Sequence, residues 1–208
     1  MSIVQSRPAR TAVRHRILEA AGHAFLERGY AGTAVADVAA EAGFTKGAVY
    51  SNFGGKPELF SAVFTERFAS LADSAIAESE LMTTAQDGNE DGHDPAPERI
   101  AASLADRIMT PSPWPALFAE FQLLAGRDQT VRQTYEQLRQ RQAEDLQARL
   151  RDRADALGLS ADFDFAAAAH LLLTTVNARA LEFAVAPGTT PPDLMRASLT
   201  RLVQGLLS

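Results

Sequence analysis

The chain's only two lysines, Lys46 and Lys56, bracket the stretch GAVYSNFGG, which contains no acidic residue. Around them Thr33, Thr45, Tyr50 and Ser51 supply hydroxyls able to donate and accept hydrogen bonds, and Gly47 offers backbone unshielded by a side chain. Cations, hydroxyls and accessible backbone are the groups that neutralise phosphates and reach base edges. Nucleophilic or metal chemistry has less to work with. The sequence has no cysteine, which removes disulfides, zinc knuckles and thiol nucleophiles, and its four histidines are scattered. No GxSxG, HExxH, P-loop or dinucleotide fingerprint occurs, so neither catalysis nor a cofactor is expected.

These residues need elements to position them. Apolar side chains at Ile17, Ala20, Ala21, Ala24 and Phe25 predict a helix over about Thr11–Arg28, stopped by Gly29. Thr33 is suited to cap a short helix, Ala34–Ala42, facing inward through Val35, Val38 and Ala39 and ended by Gly43. Thr45 caps a third, Lys46–Asn52, which Gly54 and Gly55 end. A helix below ~12 residues is marginal in water, so a scaffold must hold this one and present it. Pro57 suits the first turn of a fourth, carrying Leu59, Phe60, Val63, Phe64, Phe68 and Leu71 and fading near Leu81.

Two short helices joined by the tight turn AGFT form a helix-turn-helix, whose second helix can enter a major groove while the first braces it. Residues 10–64 resemble the DNA-binding domain of TetR-family transcriptional regulators. The resemblance is carried by Ile17, Leu18, Ala20, Ala21, Phe25, Gly29, Tyr30, Thr33, Val35, Asp37, Val38, Ala39, Ala42, Gly43, Phe44, Lys46, Gly47, Val49, Tyr50, Phe53, Lys56 and Leu59. It implies DNA contacts at Thr33, Thr45, Lys46, Gly47, Tyr50, Ser51 and Lys56. Ala34 replaces a hydroxyl residue common in the family, and Ser51 a larger polar or aromatic one, so the operator sequence does not follow. Arg7, Arg10, Arg14 and Arg16 make a basic arm able to touch phosphates or a minor groove.

The resemblance divides the chain into a DNA-binding domain, 1–60, and a helical ligand-binding and dimerisation domain, 61–208. Periodicity beyond residue 60 predicts only further helices, at about Glu98–Met109, Pro115–Ala125, Gln129–Leu157, Phe163–Ala186 and Pro192–Leu207, and a polar loop over about 83–97. The fold class is all-α. The last two helices are apolar enough to need burial by a second copy, giving a homodimer suited to a palindromic operator on double-stranded DNA. The resemblance implies a small-molecule effector that releases a repressor from DNA. Phe64, Phe68, Trp114, Phe118, Phe121, Tyr135 and Asn177 are the candidate liners of its pocket.

Charge is divided too. Residues 1–60 hold seven Lys and Arg against five Asp and Glu, and residues 61–208 hold thirteen against twenty-one, which together give the net −6. No apolar run is free of polar interruption, so no membrane partner is expected and a cytoplasmic location is. Two further motifs compete. Asp87–Glu98 matches an EF-hand pattern through Asp87, Asn89, Asp91, Gly92 and Glu98, but Asp94, Pro95 and Pro97 read better as an acidic linker. His15, Glu19 and His23 share a helix face opposite Ile17 and Ala21, and read as solvated surface rather than metal ligands. The competing function is a helical ligand-binding protein or enzyme without DNA affinity.

Overall fold

The computed structural model describes residues 10–84, 96–156 and 164–207. Among them the chain forms helices only: α1 Arg10–Gly32, α2 Val35–Ala42, α3 Lys46–Phe53, α4 Lys56–Thr84, α5 Ala96–Ile108, α6 Trp114–Ala125, α7 Gln129–Ala156, α8 Phe165–Val185 and α9 Pro192–Leu207. The all-α expectation holds. Residues 85–95, most of the expected loop, lie outside the described residues, while Thr83, Thr84, Ala96 and Pro97 are helical.

The chain falls into two compact units that a single cut does not separate. The first combines the N-terminal segment to Glu66 with Glu120–Leu138, and the second combines Arg67–Ala119 with Arg139–Ser208. The added segment belongs to the first unit because Phe121, Val131 and Leu138 are buried in its core with Phe25, Leu59, Phe60 and Val63. Rings organise that core. Phe60 meets Phe25 edge-on at 5.1 Å, Tyr30 edge-on at 5.3 Å and Phe121 at 4.5 Å, and Tyr30 meets Phe121 at 5.0 Å. Edge-to-face pairs align ring edges with the negative faces of their neighbours, adding ~0.5–1.5 kcal/mol each to the burial of apolar area.

Helix α1 runs past its expected end, but not as a regular helix. Gly29 takes φ 72°, ψ 174°, a conformation essentially reserved for glycine, and one more turn follows to Gly32. The break places Tyr30 among the rings of the core, where burial foremost, and then the carboxylates of Glu58, Asp128 and Glu120, raise its phenol above the ordinary range.

In the second unit α5 packs on α9 and α8. Ala101, Ala105 and Ile108 are buried against Met195 and Leu199, with Leu104, Met109, Val176, Phe183 and Leu202 at the margin. Small side chains on α5 permit the close approach of α9. Arg196 bonds Asp106 at 2.7 Å, and Arg149 pairs with both Asp73 and Asp145. Asp164 caps α8 by accepting from the Ala167 amide at 2.9 Å.

Substituting Gly29→Ala should test the break in α1. The left-handed backbone would be strained and the new Cβ would stand 3.0 Å from Glu120 Oε2. Urea unfolding should show a loss of ~1–3 kcal/mol of stability.

Candidate nucleic-acid interface

Helix α2 ends at Gly43, whose left-handed φ 75°, ψ 31° lets its N–H return to the carbonyls of Ala39 and Ala40. The Phe44 N–H follows to Ala39 O at 2.8 Å. The chain is thereby turned into Thr45, whose Oγ1 accepts from the Ala48 amide at 3.2 Å and caps α3 as expected. At the other end the Gly54 N–H donates to Tyr50 O at 2.9 Å.

The only fully buried side chain of α3 is Val49. The opposite face carries Lys46 and Tyr50, four residues apart, and Gly47 and Ser51, likewise four apart, all exposed. Tyr50 is 45% exposed, unusually open for its type, and Lys46 Nζ lies 5.7 Å from the centre of its ring. Ser51 Oγ donates to Ala48 O at 3.0 Å. A cation, a phenol, a hydroxyl and bare backbone thus line one side of a capped helix. Groups of these kinds can pair with phosphates and base edges.

Two expected contacts are placed differently. Thr33 is buried, and its hydroxyl is shared between Gly29 O at 2.8 Å and Ala24 O at 3.0 Å. It does not cap α2, whose N-cap is Ala34 without a side-chain bond. A buried hydroxyl must find an acceptor, and both of these carbonyls lie within its reach. Lys56 is half-buried at the start of α4, with Nζ donating to Ala31 O at 3.2 Å and 4.6 Å from the Tyr30 ring centre. Burial lowers its pKa and the negative field of Glu120 works against that.

The basic arm also resolves differently. Arg7 lies outside the described residues, while Arg10 is exposed at the start of α1. Arg14 reaches Asn52 O at a long 3.5 Å and lies 4.4 Å from the Phe53 ring centre. Arg16 donates to Ala42 O at 2.9 Å and covers Phe44. Each guanidinium sits at the carbonyl end of a helix of the motif, where positive charge is favoured. Composition could flag these arginines as basic, but only the crossing of α1 over both helices gives them this role.

The candidate pocket liners divide between the units. Phe64, Phe121 and Tyr135 belong to the first, where Phe64 stacks on Phe60 at 6.1 Å and Phe121 is wholly buried. Phe68, Trp114, Phe118 and Asn177 belong to the second, where Phe118 is buried, Asn177 is half-buried and the Arg67 guanidinium covers Trp114. A surface groove of about 370 Å³ in that unit is lined instead by Pro111, Ser112, Pro113, Phe183, Ala184 and Pro187.

His15 pairs with Glu19 at 3.4 Å, whereas His23 turns to Glu41 of α2 at 2.9 Å. No group of three or more potential ligands for a metal occurs among the described residues. Of the EF-hand pattern, Asp87, Asn89, Asp91 and Gly92 lie outside them. No described helix is long and apolar enough to cross a membrane.

Residues 17–63 match the family model described as bacterial regulatory proteins, tetR family. The chain is 43% identical over 63 residues to the transcriptional repressor DhaR of a Mycobacterium species, covering 30% of this chain and 32% of DhaR. It is 42% identical over 71 residues to the transcriptional regulator TtgR of Pseudomonas putida, covering 33% and 34%. The matches thus span about a third of each relative. Likeness of fold extends further. A structure from Pseudomonas aeruginosa, solved as a candidate transcriptional regulator, superposes with TM-score 0.62 at 20% identity, over 98% of this chain and 94% of that one. Salmonella enterica GusR superposes with TM-score 0.59 at 22% identity, over 98% of both.

Thr33→Val keeps the side chain's shape and removes its hydroxyl, so the buried placement predicts lost stability rather than a lost DNA contact. Thermal and urea unfolding should show ~1–3 kcal/mol of destabilisation.

Proposed function

Because the chain belongs to the TetR family through its N-terminal domain, we propose that it is a sequence-specific DNA-binding transcriptional regulator, acting in the cytoplasm as a homodimeric repressor. The observation that carries this reading is the outward face of α3. Lys46, Gly47, Tyr50 and Ser51 are exposed together while Val49 anchors the opposite side. A purely structural helix has no need to leave a tyrosine 45% exposed between a lysine and a serine.

Thr45, Lys46, Gly47, Tyr50 and Ser51 form the central contacts. Lys56 adds a phosphate contact by exchanging the Ala31 carbonyl for an anionic oxygen, a stronger partner for an ammonium. A homodimer through α8 and α9 would place two such helices one DNA turn apart on a palindrome. Supporting it, Leu171 and Val185 of α8 and Leu194 of α9 are 44%, 73% and 57% exposed in the single chain, apolar area that a second copy would cover.

The effector is a small, mostly apolar molecule held among the helices of the second unit, with Phe68, Trp114, Phe118 and Asn177 as its contacts. Helix α4 contributes residues to both units and is the element through which occupancy alters the DNA-bound state. Only unequal affinity of the effector for the two states can drive that change.

Selection of bound sequences from a random duplex pool at moderate salt tests the reading. Enrichment of a palindrome with half-sites about one helical turn apart is expected, and absence of any enrichment by the purified protein would overturn it. On the selected duplex, Tyr50→Ala should remove discrimination worth ~1–3 kcal/mol while leaving the oligomeric state unchanged. Lys46→Ala should lessen the slope of log K against log salt by about 0.9.

A further inference from the structure

We propose that Glu120, on α6, is a positioning residue for DNA binding, which rests on the reading above. Its two carboxylate oxygens each accept a backbone N–H from adjacent residues at the end of α1: Oε2 from Tyr30 at 2.9 Å and Oε1 from Ala31 at 2.7 Å. These two amides directly follow the break at Gly29. A carboxylate accepting two N–H groups makes charge-assisted bonds at both, and an amide or hydroxyl in its place could not satisfy both donors equally.

The carbonyl of Ala31 is held as well. Ala31 O accepts from Lys56 Nζ at 3.2 Å, and Glu120 is the negative charge that favours the ammonium form of that half-buried lysine. Anion and cation therefore grip the N–H and C=O of one residue. Thr33, two residues on, is committed to Gly29 O and Ala24 O, so the connection from α1 into the helix-turn-helix retains little freedom. A second tie reinforces the first, since Thr134 Oγ1 of α7 donates to Glu58 Oε1, in the turn of α4 that carries Lys56, at 3.0 Å.

Glu120 thus sets where α2 begins and what Lys56 must leave to reach a phosphate, although it lies some ninety residues away in the chain. Negative charge at this place would repel phosphate, so its contribution to DNA affinity is exerted through the backbone and Lys56 and not by contact.

The test compares the full-length wild type with Glu120→Gln, which keeps the shape and removes the charge, and Glu120→Asp, which keeps the charge but withdraws it by one methylene. Amide hydrogen exchange at Tyr30 and Ala31 and affinity for the selected duplex across a salt series are measured well below the unfolding transition. For Glu120→Gln the two amides should exchange at least ~10-fold faster, and affinity should fall about tenfold with an unchanged salt slope, because no phosphate contact is lost. Glu120→Asp should fall between the two, and serves alone if Glu120→Gln does not fold. A merely structural role would lower the unfolding temperature without moving affinity below the transition. Unchanged amide exchange, or affinity within about twofold of wild type, would overturn the proposal. If the wild type enriches no duplex, the DNA-binding reading falls and takes this role with it, whereas a wild type that binds beside an unaffected variant removes the role of Glu120 alone.

Discussion

Eight residues of helix do not persist in water, and α3 buries only one side chain of its own, so its position is imposed from outside. The imposing groups are few. Thr45 satisfies an amide at its start, and Gly54 takes the strained turn at its end. From α1, Arg14 and Arg16 reach the carbonyl ends of α3 and α2 and spread over Phe53 and Phe44. In this arrangement α1 is a brace, and the orientation of the exposed Lys46–Ser51 face is only as well defined as α1 itself.

What defines α1 is a core of stacked and edge-on rings, with Phe60 touching Phe25, Tyr30, Phe64 and Phe121. A core of this size in a three-helix head would be open on one side, and Phe121, Val131 and Leu138 close it. Closure by α6 and α7 brings polar groups with it. Glu120, Glu58, Thr134 and Lys56 form a rim in which every carboxylate or ammonium meets a backbone or hydroxyl partner, as partly buried charge requires. The break at Gly29 belongs to the same design, since it turns Tyr30 into the ring cluster and its amide toward Glu120.

Net charge would argue against a polyanionic partner, because the chain carries −6 overall. The distribution reverses that inference locally. Lysine is confined to the two positions bracketing α3, and the excess of acid lies beyond residue 60. For the proposed DNA partner, a basic segment joined to an acidic remainder disfavours non-specific binding and favours approach through that segment.

Much of the fold was legible in local sequence. Periodic apolar residues placed the described helices to within a few residues, Thr45 and Gly43 marked real caps, and Lys46, Gly47, Tyr50 and Ser51, named for their chemistry and through the family resemblance, are exposed together. Thr33 was misplaced as a cap because a threonine before a helix looks the same whether its hydroxyl turns forward to an amide or back to the carbonyls of Ala24 and Gly29. Lys56 read as a DNA contact, and nothing beside it in sequence reveals the Ala31 carbonyl or the Tyr30 ring that it meets in the fold. Phe121 read as a pocket liner for the same reason, since an aromatic on an apolar helix does not say which core it enters. The sequence by itself determined the helices and the caps at Gly43 and Thr45, because side-chain period and capping preference act within a few residues of chain. Which charged groups are engaged was decided only by the tertiary structure. Glu120 can find the amides of Tyr30 and Ala31 only after α1 has broken at Gly29 and α6 has entered the core.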